Sequence, residues 1–119
     1  MPELKIPGIN IDAGLELYGG EADIFMGALE SFAVNTPDVI AKLRDITKEN
    51  LPEYAIAVHG IKSVSGTIAA EDINERAKKL EIMAKAGDLS GVMAENTGFL
   101  KDTEILVDEI KKWLKTEKI

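Results

Sequence analysis

His59 is the only histidine of the chain, and an imidazole is the one side chain that is largely neutral near pH 7 yet still nucleophilic at a ring nitrogen. Such a nitrogen can accept a phosphoryl group. The residue lies in the run His59-Gly60-Ile61-Lys62-Ser63-Val64-Ser65-Gly66. Wound at about 100° per residue, positions 51 to 69 gather Tyr54, Ala57, Val58, Ile61, Val64, Ser65 and Ile68 on one side and put His59 almost opposite them. Ala55, Lys62, Ser63 and Gly66 then share the outward face with the ring. Gly60, Ser63 and Gly66 keep the approach to it open, and Lys62, about one turn on, can offset the charge of a phosphoryl group. A glycine inside a helix costs up to about 1 kcal/mol relative to alanine, so two of them beside His59 ask for a reason, and access is one.

Other chemistries fit these residues less well. Exposed histidines commonly do nothing, and a lone Lys62 is ordinarily a solvated helix charge; only their combination with the small neighbours points to function. A general acid-base enzyme needs a partnered carboxylate beside its histidine, and the sequence marks no specific one near His59. The Asp and Glu residues of the other helices read as solvated faces. A carboxylate-bridged metal site in a bundle wants Glu-x-x-His pairs, which Glu16, Glu30, Glu81 and Glu95 do not form, so no metal is expected. No P-loop or glycine-rich phosphate cradle is present. Met26, Met83, Met93 and Trp113 read as packing residues.

The elements that must position His59 follow from periodicity. Asp12 is expected to cap a short helix through Tyr18, stopped by Gly19-Gly20. Phe25, Leu29, Phe32, Thr36, Val39, Leu43 and Ile46 keep one phase across Pro37, which predicts a single bent helix. The His59 helix begins near Leu51-Pro52, where proline suits a first turn, and runs to about Ile68. Glu71 or Asp72 opens the next, with the narrower stripe Ile73, Ala77, Leu80 and Ala84, ending at Gly87. Asp88 caps a last helix carrying Leu89, Val92, Met93, Asn96, Phe99, Leu100, Thr103, Leu106, Val107, Ile110, Trp113 and Leu114. Strand signals are thin, and the last residues, Lys115 to Ile119, are expected to fray. The expected fold class is all-α: an antiparallel up-down four-helix bundle with a short additional N-terminal helix.

Bulk properties set the limits. The length of 119 residues suits one domain, taken as 1–119. A net charge of -7, with 14 basic residues scattered among 21 acids, argues against nucleic acid as a partner. There is no cysteine, which fits a reducing compartment. No apolar run reaches the roughly 20 residues that span a bilayer, and the first five residues lack a signal-peptide pattern. A cytoplasmic, monomeric protein without membrane contact is expected, and Met1 together with the finish after a fifth helix suggests a complete small protein.

The run around His59 resembles the motif of the histidine phosphotransfer, or HPt, domains of two-component phosphorelays. That motif is a His, any residue, Leu or Ile, Lys, Gly, a run of small residues and a second Gly. His59, Ile61 and Lys62 match. The similarity extends from Asp12-Ala13-Gly14-Leu15-Glu16-Leu17-Tyr18-Gly19-Gly20 to Ala86-Gly87-Asp88-Leu89. Two positions depart from it: the glycine after the lysine is Ser63, and the later glycine, ten residues after the histidine, is Ala69.

The resemblance implies a relay. A receiver-domain aspartyl phosphate passes its phosphoryl group to His59, and another receiver later removes it; the partners would be response-regulator receivers or a hybrid sensor histidine kinase. The receiver would supply Mg²⁺, so the chain needs no cofactor of its own. Ile56 and Gly60 would form the apolar part of the docking face, with Lys62 at its edge and Ser63 and Gly66 beside the ring. Two alternatives are the phosphorylated domain of a chemotaxis-type histidine kinase, whose donor is ATP, and an HPt-like adaptor that has lost phosphotransfer.

Overall fold

Apolar residues spaced by three and four become helix along most of the chain, the end of the second stripe at Leu43 and Ile46 being the exception. The computed structural model describes residues 5–116. Its helices are α1 (Ile11–Leu17), α2 (Ala22–Lys42), α3 (Leu51–Thr67), α4 (Glu71–Lys85) and α5 (Leu89–Thr116). Among the described residues there is no strand, only an isolated bridge between Ile6 and Ile9. Of the residues expected to fray, Lys115 to Ile119, the first two still belong to α5, and 117–119 lie outside the described residues.

The first helix starts two residues earlier than an Asp12 cap implies, at the buried Ile11. Asn10, not Asp12, is therefore the cap: its Oδ1 accepts from the Ala13 amide at 3.1 Å. Asp12 sits in the first turn, where a carboxylate still complements the helix dipole. Gly14 lets α1 lie against α2, since a Cβ there would fall 2.5 Å from the Phe25 ring.

The second helix is continuous through Pro37. It stops at Lys42, however, and Ile46 falls outside it, half-buried in the following turn. Side chains in that turn compete for the backbone groups a longer helix would use. Asn50 Oδ1 accepts from the Thr47 amide at 2.8 Å, Thr47 Oγ1 accepts from the Asn50 amide at 3.1 Å, and Asn50 Nδ2 donates to the Asp45 carbonyl at 2.8 Å. Pro52 then occupies the first turn of α3.

At the other turn, Gly87 adopts φ 75° and the Asp88 amide donates to the Met83 carbonyl at 2.9 Å, closing α4. Asp88 Oδ1 accepts from the Gly91 amide at 2.9 Å and opens α5 as expected. With 28 residues, α5 is about 42 Å long at 1.5 Å per residue and sets the 49 Å length of the molecule.

The packed neighbours are α2 with α3, α3 with α4, α4 with α5 and α5 with α2, with α1 against α2. Their stripes meet in one core that includes Phe25, Leu29, Val58, Leu80, Phe99 and Ile110. A buried polar chain crosses it: Tyr54 Oη donates to Asn96 Oδ1 at 2.8 Å, and Asn96 Nδ2 donates to the Leu43 carbonyl at 2.8 Å. Burial pushes the Tyr54 phenol well above its usual value, so it stays a donor. Met93, read as a packing residue, is instead 57% exposed. Among the described residues no helix is long and apolar enough to cross a membrane.

Candidate functional site

The site is built where α3 meets α4, the most extensive helix contact in the molecule. Leu51, Tyr54, Ala55, Val58, Ile61 and Ser65 form the buried stripe of α3. It differs from the sequence reading at two places. Ala55, placed on the outward face, is buried, and Val64, placed inward, is 40% exposed. The stripe is thus turned by about 50° toward α4, at 3.6 residues per turn, and His59 stands about 100° from its centre rather than opposite it. A helix that packs most closely on one neighbour turns its small residues toward that neighbour, and Ala55 is the small residue on this side.

The rotation changes what the ring touches. The His59 side chain is 53% exposed and its Nδ1 lies 2.7 Å from Glu81 Oε2. Glu81 belongs to α4 and is buried. Lys62 Nζ donates to its Oε1 at 2.9 Å, and Lys85 Nζ lies 3.1 Å from Oε2. The hydrogen bond from Lys62 holds the carboxyl well below its ordinary value; burial opposes this, and the bonds from Lys85 and His59 reinforce it, leaving it at about 2. At neutral pH Glu81 is therefore a carboxylate, which only accepts. The ring nitrogen beside it must donate, so the proton sits on Nδ1, and the lone pair of the neutral ring is on Nε2. Among the described residues Nε2 has no hydrogen-bond partner.

Glu81 is thus the partnered carboxylate that the sequence does not mark near His59, and it is buried rather than part of a solvated face. A signal for it existed. Glu81 stands about 70° from the centre of the stripe formed by Ile73, Ala77, Leu80 and Ala84, at the edge of a buried face rather than on the solvated one. It also precedes Lys85 by four residues, a spacing that pairs charges on a helix. What the sequence did not carry was which residue of α3 the edge would meet.

The remaining expected site residues fall as follows. Ile56 is 74% exposed. Gly60 and Ser63 are exposed, and a Cβ on Gly60 would meet nothing within 4 Å. Lys62 is only 29% exposed and is committed to Glu81. Gly66 is exposed; nearby, Asn74 Nδ2 of α4 donates to the Lys62 carbonyl at 2.7 Å, and a Cβ on Gly66 would lie 3.4 Å from that nitrogen. Beside the ring runs a shallow groove of about 510 Å³ formed by Pro52, Ala55, Ile56, Ala84 and Lys85.

Ala69, where the HPt motif has its later glycine, carries φ 57°. It is the one non-glycine residue with positive φ among the described residues. This turn receives α1, since the Asn10 amide donates to the Ala69 carbonyl at 3.1 Å and Tyr18 Oη donates to the Thr67 carbonyl at 2.8 Å.

Among the described residues no three His, Cys, Asp or Glu side chains converge to hold a metal ion. No protein-family model, curated protein or solved structure matches the chain.

Proposed function

We propose that this chain is a histidine phosphotransfer protein of a two-component phosphorelay, with α2 to α5 as an up-down four-helix bundle and His59 as the phosphoacceptor. The observation that carries the reading is the half-exposed ring whose Nδ1 is held by ionised Glu81 while Nε2 is left open.

In the transfer, the Nε2 lone pair forms a bond to phosphorus as the O–P bond to the receiver's aspartate breaks. The electron pair leaves with that carboxylate. No proton moves to Nε2, and the ring keeps its Nδ1 proton and becomes a cation. Glu81 is too weak a base to remove that proton, since its own value lies near 2, but its charge opposes the new positive charge at 2.7 Å. The reverse step, to a second receiver, uses the same geometry. Mg²⁺ belongs to the receiver in this scheme, and the receiver docks over Ile56, Gly60 and the groove beside the ring. A passive adaptor has no need of a carboxylate anchored under its histidine, and that contact favours the relay.

The test is mass spectrometry under mild alkaline conditions after mixing the protein with phosphorylated receivers and Mg²⁺. Phosphohistidine at His59 is expected, and His59→Gln should abolish it. Absence of transfer from every receiver, with labelling by an ATP-loaded kinase module instead, would point to a kinase's own phosphorylated domain. An unlabelled protein whose His59→Gln variant signals normally would make it an adaptor.

A further inference from the structure

Glu81 holds two lysines, and the phosphohistidine motif accounts for only one of them. Lys62 binds Oε1, is 29% exposed, and is held at a helix contact. Lys85 binds Oε2, the same atom that accepts the hydrogen bond from His59 Nδ1, and is 67% exposed. It also lines the groove that reaches His59. Only the lysine end of this i,i+4 pair is solvated, and Lys62 and His59 stay on the buried carboxylate if it leaves, so Lys85 is the partner that exchanges without leaving Glu81 unpaired.

We propose that Lys85 is a mobile counter-charge for the transfer: it rests on Glu81 in the unphosphorylated protein and turns to the phosphoryl oxygens as the group passes to His59 Nε2. The proposal rests on the phosphorelay reading. Before transfer, one carboxylate faces two ammonium groups, a local positive excess in a chain whose net charge is -7. A phosphoryl group brings a charge of about -2 to the neighbouring nitrogen and offers Lys85 three acceptor oxygens. The ring becomes cationic in the same step and takes over the neutralisation of Glu81 Oε2 that Lys85 had supplied. The exchange keeps each charge partnered, and Lys62 stays on Oε1 throughout. Bond making and breaking are those of the transfer itself, with no further proton moved.

The experiment uses the full chain, Lys85→Met, which keeps the apolar stem, and Lys85→Arg, which keeps the charge. Phosphoramidate serves as a small phosphoryl donor that needs no docking, and ³¹P NMR follows formation and hydrolysis of phosphohistidine at low and high salt. Lys85→Met should form phosphohistidine about fivefold more slowly at low salt, the size expected of one exposed charge-assisted hydrogen bond. Lys85→Arg should restore the rate, the deficit should shrink at high salt, and the ³¹P resonance should shift in the Met variant alone. A Met variant that matches the wild type in rate and resonance overturns the proposal while leaving the relay intact. So does a deficit that arginine does not repair. Failure to label His59 in the wild type overturns the relay reading and this inference with it.

Discussion

Glu81 gives the imidazole its direction, and its acidity is what makes the arrangement work. The carboxyl sits at about 2 in the folded protein against an ordinary 4.5. A depressed folded value means that the stability it contributes is fully present above pH 4.5 and is lost as pH falls toward 2. Urea unfolding of the wild type should therefore weaken through that window, whereas Glu81→Gln should be less stable at neutral pH and nearly flat between the same limits. In the proposed relay, the same substitution leaves an acceptor for Nδ1 but no charge to balance the cationic ring, so phosphohistidine formation should slow about tenfold. Circular dichroism at pH 7 separates that effect from loss of fold. The types and order of the residues on α3 made His59 and Lys62 legible in the sequence. Glu81 was not, because its role depends on a contact 22 residues away that periodicity on either helix leaves undefined.

At the scale of helices, the turn between α3 and α4 concentrates what the sequence obscured. Ala69 occupies a left-handed conformation at φ 57°, which costs an L-residue roughly 1–2 kcal/mol. Ala69→Gly should stabilise the protein by about 1 kcal/mol, read as a higher urea midpoint with an unchanged slope. A lower midpoint would mean that the buried methyl outweighs the backbone strain. Gly66 borders α4 as well as the outward face of α3. Its exposed Cα lies beside the ring's helix face and also next to Asn74, whose Nδ2 a Cβ at this position would meet at 3.4 Å, an ordinary contact distance. The helices themselves were legible almost residue by residue, since apolar spacing, Pro52, Gly87 and Asp88 act locally. Asn10 and the short end of α2 were not, because competing caps and turns differ by single hydrogen bonds.

Across the whole molecule, the groove beside His59 opens onto a surface that includes Ile56, 74% exposed, and Lys85. If a receiver docks there, Ile56→Glu should slow transfer from a phosphorylated receiver by about tenfold, the cost of a charge placed in an apolar contact. The loss should be greater than with phosphoramidate, and the melting temperature should barely move, as for most surface substitutions. Equal transfer rates in variant and wild type would place docking elsewhere. The sequence alone determined an all-helical chain and singled out one histidine among small neighbours, because helix formation and amphipathic phase are properties of residues close together along the chain. Only the tertiary structure decided how far α3 turns about its axis, and with it that His59 leans on Glu81 while Ala55 goes inside and Val64 comes out. Rotation about a helix axis is set by the shape and closeness of the neighbour, and a single helix's spacing fixes its apolar side only to within about half a residue's turn.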